Sequence, residues 1–183
     1  MPLYGLIGYP LGHSFSASFF GEKFKEEGID AVYRNFPLER IEEFKHLVVG
    51  EPDLLGLNVT VPYKQEIIPY LDSLSKTAEA IGAVNTISFR RSEDGLELLG
   101  DNTDVIGFRH SLEQHLKPHH NKALVLGTGG SSRAVLHVLA DLGIDYIMVS
   151  RNAGSKKISY EELDRKMVGD KPLIINTTPL GMY

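Results

Sequence analysis

The stretch Ala123-Leu124-Val125-Leu126-Gly127-Thr128-Gly129-Gly130-Ser131-Ser132 decides the fold. Its four apolar residues read as a short buried strand, and the glycine turn opens a segment in which Val135, Val138, Leu139 and Leu142 keep helical spacing up to Gly143. Strand, glycine turn and helix N-terminus in that order form the context a dinucleotide fingerprint requires. Gly127 makes the tight turn, and Gly129 lets a pyrophosphate approach the backbone. Gly130 and Ser131 lead into the free N–H groups that meet its charge. Ser132 replaces the third glycine of the fingerprint, and a plain glycine-rich turn remains the simpler alternative.

Working outward, Tyr146 to Val149 reads as a second strand, Tyr160 to Met167 as a helix and Leu173 to Ile175 as a third strand. The result is β-α-β-α-β, the first half of a doubly wound nucleotide fold. Three strands leave an edge and a face of such a sheet uncovered, so the sequence reads as C-terminally incomplete and, by itself, as a poor catalyst. The second strand ends in Ser150-Arg151-Asn152, where NAD-preferring folds carry a carboxylate for the ribose 2′-hydroxyl. Arg151, with Lys156 and Lys157 behind it, instead offers cations to a 2′-phosphate, which favours NADP over NAD.

The polar stretch Lys117-Pro118-His119-His120-Asn121-Lys122 marks the boundary of this unit. Ahead of it, strand-like runs alternate with amphipathic segments: Leu3 to Gly8, a helix carrying Phe20 and Phe24 that ends by Gly28, then Ala31 to Phe36. A helix with Ile41, Phe44 and Val48 on its buried face follows, then Leu55 to Val61, and an interrupted helical face of Ile67, Ile68, Leu71 and Leu74 around Pro69. Thr86 to Phe89 and Leu96 to Leu99 flank Ser92-Glu93-Asp94-Gly95, a hairpin signal. The expected organisation is an N-terminal α/β substrate domain (1–104), a connecting helix and linker (105–121) and a partial doubly wound Rossmann domain (122–183).

The composition narrows the chemistry. The 183 residues contain 19 basic and 24 acidic side chains, a net charge of −5, with no cysteine. Without thiols, disulfides, thiolate metals and cysteine nucleophiles are closed. Without a basic stripe, nucleic acid is a poor partner. No apolar run approaches the roughly 18 residues a bilayer span needs, and no signal peptide is visible, so the reading is a cytoplasmic protein with no membrane partner. The histidines lack ligand partners at metal spacing, so no metal is expected.

The N-terminal unit holds a more unusual string, Asn58-Val59-Thr60-Val61-Pro62-Tyr63-Lys64. In a strand, Asn58 and Thr60 share one face while Leu57, Val59 and Val61 point into the core. Lys64 emerges just past Pro62 as a candidate proton donor and acceptor. Two further polar clusters sit beside strands: Gly82-Ala83-Val84-Asn85-Thr86 and Gly100-Asp101-Asn102-Thr103-Asp104. The Asn85 amide can donate to and accept from a hydroxyl, and Asp101 or Asp104 can supply a carboxylate to pair with Lys64. Ser14 and Ser16, just before a helix, serve either as caps or as an anchor for a small carboxylate at a helix N-terminus.

These strings, with His13-Ser14-Phe15-Ser16 before them and Asn176-Thr177-Thr178-Pro179-Leu180-Gly181-Met182 after them, stand in an order and spacing that resembles the shikimate dehydrogenase family over nearly the whole chain. The resemblance implies reversible, NADP-dependent reduction of 3-dehydroshikimate to shikimate in aromatic amino-acid (chorismate) biosynthesis. By similarity, Lys64 and Asp104 form the catalytic pair. Ser14 and Ser16 hold the substrate carboxylate, and Asn58, Thr60, Asn85 and Asp104 surround the ring hydroxyls. Gly127, Gly129, Gly130, Ser131, Ser150, Arg151, Asn152 and Thr178 line the NADP site. The partner is the small-molecule substrate, in a monomer or homodimer.

Three departures qualify the resemblance. Ala17 stands where family members commonly have proline, Ser150-Arg151-Asn152 stands for a more usual Asn-Arg-Thr, and the family continues beyond the end of this sequence. Two rivals stay open: a dual-specificity quinate/shikimate dehydrogenase, and a non-catalytic fragment that binds shikimate.

Overall fold

A computed structural model describes residues 1–12, 14–155 and 157–181, and the chain divides into two compact units, Met1–Asn102 and Thr103–Tyr183. His13, Lys156 and Met182, which figure in the sequence reading, lie outside the described residues.

The first unit runs β1 (Leu3–Gly8), α1 (Ser16–Glu26), β2 (Val32–Pro37), α2 (Phe44–Gly50), β3 (Leu54–Val59), β4 (Ser73–Leu74), α3 (Lys76–Ile81), β5 (Thr86–Ser92) and β6 (Gly95–Asp101). The strands form one mixed sheet in the order β2-β1-β3-β5-β6-β4, with β1 parallel to both β2 and β3, and β5 antiparallel to β3 and β6. Alternation along each strand gives the sheet two different faces. Leu3, Ile7, Leu57, Val59, Ile87, Phe89 and Leu98 enter the hydrophobic core with Phe44 and Ile67. The residues between them form the other face. There Leu6 pairs with Asn35 and Asn58, Asn58 with Thr86, and Thr86 with Asp101, which lays a polar row across the sheet. α1 rests on this second face through aromatic contacts: Phe20 stacks on Tyr33 at 4.5 Å between ring centroids, and Phe24 meets Tyr4 at 5.9 Å.

Two expectations for this unit are corrected. Val61 does not point into the core but is 65% exposed, because β3 stops at Val59 and the chain turns before Pro62, which has no N–H to continue the ladder. The apolar residues around Pro69 pack against the core as expected, yet they form a single 3₁₀ turn (Ile68–Tyr70), and Leu74 sits in β4. Pro69 has no N–H to donate, so it is accommodated in the first turn of a short helix and not in the interior of a longer one.

The second unit contains α4 (Asp104–Glu113), β7 (Lys122–Leu126), α5 (Gly130–Asp141), β8 (Asp145–Ser150), β9 (Lys157–Ser159), α6 (Arg165–Gly169) and β10 (Leu173–Asn176). Its sheet is wholly parallel, in the order β10-β7-β8-β9. Counted along the chain from β7, the order read from β9 is 3-2-1-4, that of a dinucleotide-binding sheet, with its switch point between β7 and β10. The sequence reading expected three strands. β9 is the addition, a three-residue strand with no apolar run to announce it, and Leu173–Asn176 is therefore the fourth strand. The helix expected over Tyr160 to Met167 is also shorter. Asp164 is extended and accepts the Met167 N–H at 2.6 Å, a capping arrangement that starts α6 only at Arg165. The segment read as a connector contains α4, whose Phe108 and Leu112 pack with Val135 and Leu139 in the core of the second unit. No described helix is long and apolar enough to cross a membrane.

Candidate functional site

In the first unit the polar strings converge where β1 and β3 end side by side. The Thr60 N–H donates to the Ile7 carbonyl at 2.9 Å, and the Tyr63 N–H to the Thr60 carbonyl at 2.9 Å. Tyr63 anchors this turn: it is buried, and its hydroxyl donates to the Leu38 carbonyl at 2.6 Å. Burial pushes the Tyr63 phenol pKa up, with the nearby Glu66, Glu43 and Glu42 carboxylates acting the same way. One residue on, Lys64 is half-buried, and its carbonyl accepts the Val84 N–H at 2.7 Å. Asn85 is 8% exposed; its N–H donates to the Asp101 carbonyl at 3.0 Å, and its carbonyl accepts the Val59 N–H at 2.8 Å. The Thr86 hydroxyl donates to Asn85 Oδ1 at 2.9 Å. Asn58, Thr60, Lys64 and Asn85 thus lie at one end of the sheet, where backbone hydrogen bonds join three strings distant in sequence.

Ser14 and Ser16 stand at the start of α1. The Ser16 N–H donates to Ser14 Oγ at 3.4 Å, and Ser14 Oγ donates to Asn35 Oδ1 at 3.5 Å. No acidic residue occupies the first turn of α1, so its positive end keeps its attraction for an anion. Two residues absent from the sequence reading belong to this region, Tyr33 and Asn35. The Tyr33 hydroxyl donates to Asn58 Oδ1 at 2.8 Å, and its pKa is raised to about 12 by burial, with a hydrogen bond to Ser16 acting in the opposite direction. The signal was present in the alternation of β2, which puts Tyr33 and Asn35 on the face that carries Asn58, but Tyr33 reads there as an ordinary aromatic. Asp104 opens α4 and is half-buried; it belongs to the second unit, while Lys64 belongs to the first.

In the second unit the glycine turn lies at the switch point. Gly127 has φ +108°, and a Cβ there would come within 2.7 Å of Thr177 Oγ1, so neither the conformation nor the space admits a side chain. Thr177 in turn ties β10 to β7, its N–H and hydroxyl both donating to the Leu126 carbonyl at 2.8 and 2.7 Å. A Cβ on Gly129 would meet nothing within 4 Å, which leaves the approach to the N-terminus of α5 open past Gly130 and Ser131. Ser132 is buried and its hydroxyl donates to the Gly129 carbonyl at 2.6 Å, so the residue replacing the third glycine braces the turn from inside. Ser150 does the same for the next strand end: its hydroxyl donates to the Asn152 carbonyl at 2.5 Å and accepts the Asn152 N–H at 3.3 Å, with Arg151 exposed between them. Thr178 donates through both its N–H and its hydroxyl to Asn176 Oδ1, at 3.0 and 2.7 Å.

Comparison with known proteins decides the family. Residues 6–87 match the shikimate dehydrogenase substrate binding domain. A protein named shikimate dehydrogenase (NADP(+)) from Clostridium beijerinckii is 42% identical over 200 residues, a match that covers 100% of this chain and 70% of that protein. The chain belongs to the shikimate dehydrogenase family.

Solved members of the family share the fold. Shikimate dehydrogenase 1 from Peptoclostridium difficile superposes with a TM-score of 0.82 at 36% identity, covering 100% of this chain and 68% of that one. Shikimate 5-dehydrogenase from Thermus thermophilus, in complex with NADP(H) and shikimate, gives 0.79 at 27% identity, covering 97% of this chain and 69% of that one. The chain spans 66 to 70% of the length of the curated relatives it matches.

Proposed function

We propose that this chain carries the substrate and cofactor chemistry of an NADP-dependent shikimate dehydrogenase, interconverting 3-dehydroshikimate and shikimate. The observation that carries the reading is the cross-linking, at one end of the sheet, of the strings that carry Asn58, Thr60, Lys64 and Asn85, through the Lys64–Val84, Asn85–Val59 and Asn85–Asp101 backbone bonds. These strand ends would present an ammonium, a hydroxyl and two amides, the donors and acceptors a polyhydroxylated ring requires. Ser14 and Ser16, at the positive end of α1, would take the ring carboxylate. The second unit would hold NADP, its pyrophosphate over Gly129 at the start of α5 and its 2′-phosphate beside Arg151, where no acidic residue of the Ser150-Arg151-Asn152 turn opposes it.

NADPH, held by the glycine turn and Arg151, would supply a hydride to the carbonyl carbon. Lys64 donates a proton to the oxygen as negative charge develops there, and takes it back in the reverse direction. Asp104 is the carboxylate of the proposed catalytic pair. Thr60, Asn58 and Asn85 orient the ring, so that one carbonyl face is presented.

The test follows the near-ultraviolet absorbance of reduced nicotinamide as NADP is offered with shikimate and then with quinate. The expected result is a slow rise with shikimate that exceeds the rise with quinate and vanishes in Lys64→Ala. Equal rates with both substrates support the dual-specificity reading. Binding of both ligands with no rise at all marks a non-catalytic shikimate-binding chain and contradicts the proposal.

A further inference from the structure

We infer that Asp101 is a positioning residue that, through Ser75 and Asn102, holds the segment 83–85 and with it Lys64 and Asn85; the inference rests on the substrate role proposed above for those two residues. Asp101 closes β6, and its Oδ1 accepts two hydrogen bonds, one from the Ser75 hydroxyl at 2.5 Å and one from the Asn102 N–H at 2.7 Å. Each donor passes the constraint on. Ser75 Oγ accepts the Ala78 N–H at 3.1 Å, capping α3, the helix that runs directly into Gly82 and Ala83. Asn102 is 1% exposed, and its amide Nδ2 donates to the Ala83 carbonyl at 2.9 Å. The segment is thereby gripped at both ends just where it meets the site: the Val84 N–H binds the Lys64 carbonyl at 2.7 Å, and the Asn85 N–H binds the Asp101 carbonyl at 3.0 Å.

A carboxylate suits this junction because a charged acceptor makes shorter and stronger bonds than a neutral one, and here a single oxygen serves two donors. Removing it leaves the N–H of a buried residue without that acceptor and cuts the side-chain link from the cap of α3 to the end of β6, leaving only the backbone bond from the Ser75 N–H to the Gly100 carbonyl at 2.8 Å. The arrangement uses Asp101 as an acceptor and does not use its ability to move a proton. An asparagine, whose Oδ1 accepts the same two bonds, therefore preserves it.

The experiment compares Asp101→Ala and Asp101→Asn with the wild-type chain by three measurements: shikimate titration, NADP titration, and amide hydrogen exchange at Val84 and Asn85. Asp101→Ala is expected to weaken shikimate binding about tenfold, the scale of one lost buried hydrogen bond, with NADP affinity unchanged and exchange at Val84 and Asn85 accelerated. Asp101→Asn is expected to restore both to within about twofold, as one retained acceptor allows. Ser75→Ala, which keeps the Asn102 bond, gives the same pattern at smaller size and carries the test if Asp101→Ala does not fold.

Unchanged exchange at Val84 and Asn85, or acceleration spread evenly over β1, β2 and β3, overturns the inference. So does an Asp101→Ala chain that binds shikimate as the wild type does. A wild-type chain that binds no shikimate contradicts the proposed function instead, and the exchange measurement still decides the positioning.

Discussion

In the proposed reading, a substrate at the end of the first unit's sheet would meet side chains, Asn58, Thr60, Lys64 and Asn85, on strings joined by backbone hydrogen bonds and strand pairing. At the glycine turn of the second unit a cofactor would instead meet backbone N–H groups and the space left where side chains are missing. The first arrangement should lose function when atoms are deleted, and the second when atoms are added. This difference follows from the ligands. A small ring with several hydroxyls is distinguished by pairing each of them, whereas a pyrophosphate needs close approach to a helix N-terminus.

Deletion at the first site gives the largest expected effect. Lys64→Ala should lower turnover by roughly 10² to 10⁴, the usual worth of a positioned proton donor, while shikimate binding changes far less, because the ammonium matters most as charge develops on oxygen. Asp104→Asn should follow the same pattern. Steady-state rates beside equilibrium titrations decide it, and a loss of affinity at constant kcat would assign both residues to binding alone.

Addition at the glycine turn should separate two adjacent positions. Gly127→Ala forces a Cβ into a positive-φ position 2.7 Å from Thr177 Oγ1 and should cost about 1–3 kcal/mol of stability together with NADP affinity. Gly129→Ala adds its Cβ to open space, so stability should move by no more than about 0.5 kcal/mol while NADP affinity falls. Thermal melting with and without NADP distinguishes the two. If Gly129→Ala left NADP binding intact, the pyrophosphate would not lie over that residue.

Arg151 is the side chain on which the second unit is expected to rely. Arg151→Ala should remove most of the preference for NADP over NAD, at most about 3 kcal/mol, the upper range for hydrogen bonds to charged groups. An unchanged ratio of the two affinities would move recognition to Lys156 or Lys157.

The smallest effect is expected at Tyr33. Tyr33→Phe removes the bond to Asn58 Oδ1 and should cost about 1 kcal/mol. The Tyr33 phenol pKa is raised from 10.0 to about 12 in the folded chain, so the neutral phenol supports the fold fully below the unfolded value, and that support is lost as pH rises through about 12. Alkaline denaturation should therefore find the wild type more stable than Tyr33→Phe below pH 10, with the difference shrinking and then reversing as pH rises through about 12. Curves that stay parallel throughout would show that Tyr33 does not contribute through its neutral hydroxyl.

Much of the fold was legible because periodicity reports burial. β1, β7, β8, β10 and the β5–β6 hairpin were expected from short apolar or alternating runs, and α5 from the spacing of Val135, Val138 and Leu139. β9 was not legible, since its three residues, Lys157–Ser159, are held by pairing with β8 rather than by an apolar pattern of their own. The helix around Tyr160 failed because Asp164, which looks like an interior polar residue, is a cap. At the site, Asn58, Thr60, Lys64 and Asn85 stood out as polar residues beside strands. Ser75, 26 residues from Asp101, gave no such sign, because only the folded sheet brings the two together.

The division of labour between the two units is tested most directly by titrating the chain first with shikimate and then with NADP while following backbone amide resonances. Shikimate should shift Ser16, Thr60, Lys64 and Asn85 and leave Gly129 and Arg151 in place. NADP should do the reverse. Shifts at Gly129 and Arg151 on adding shikimate alone, with the first-unit resonances unmoved, would contradict the account.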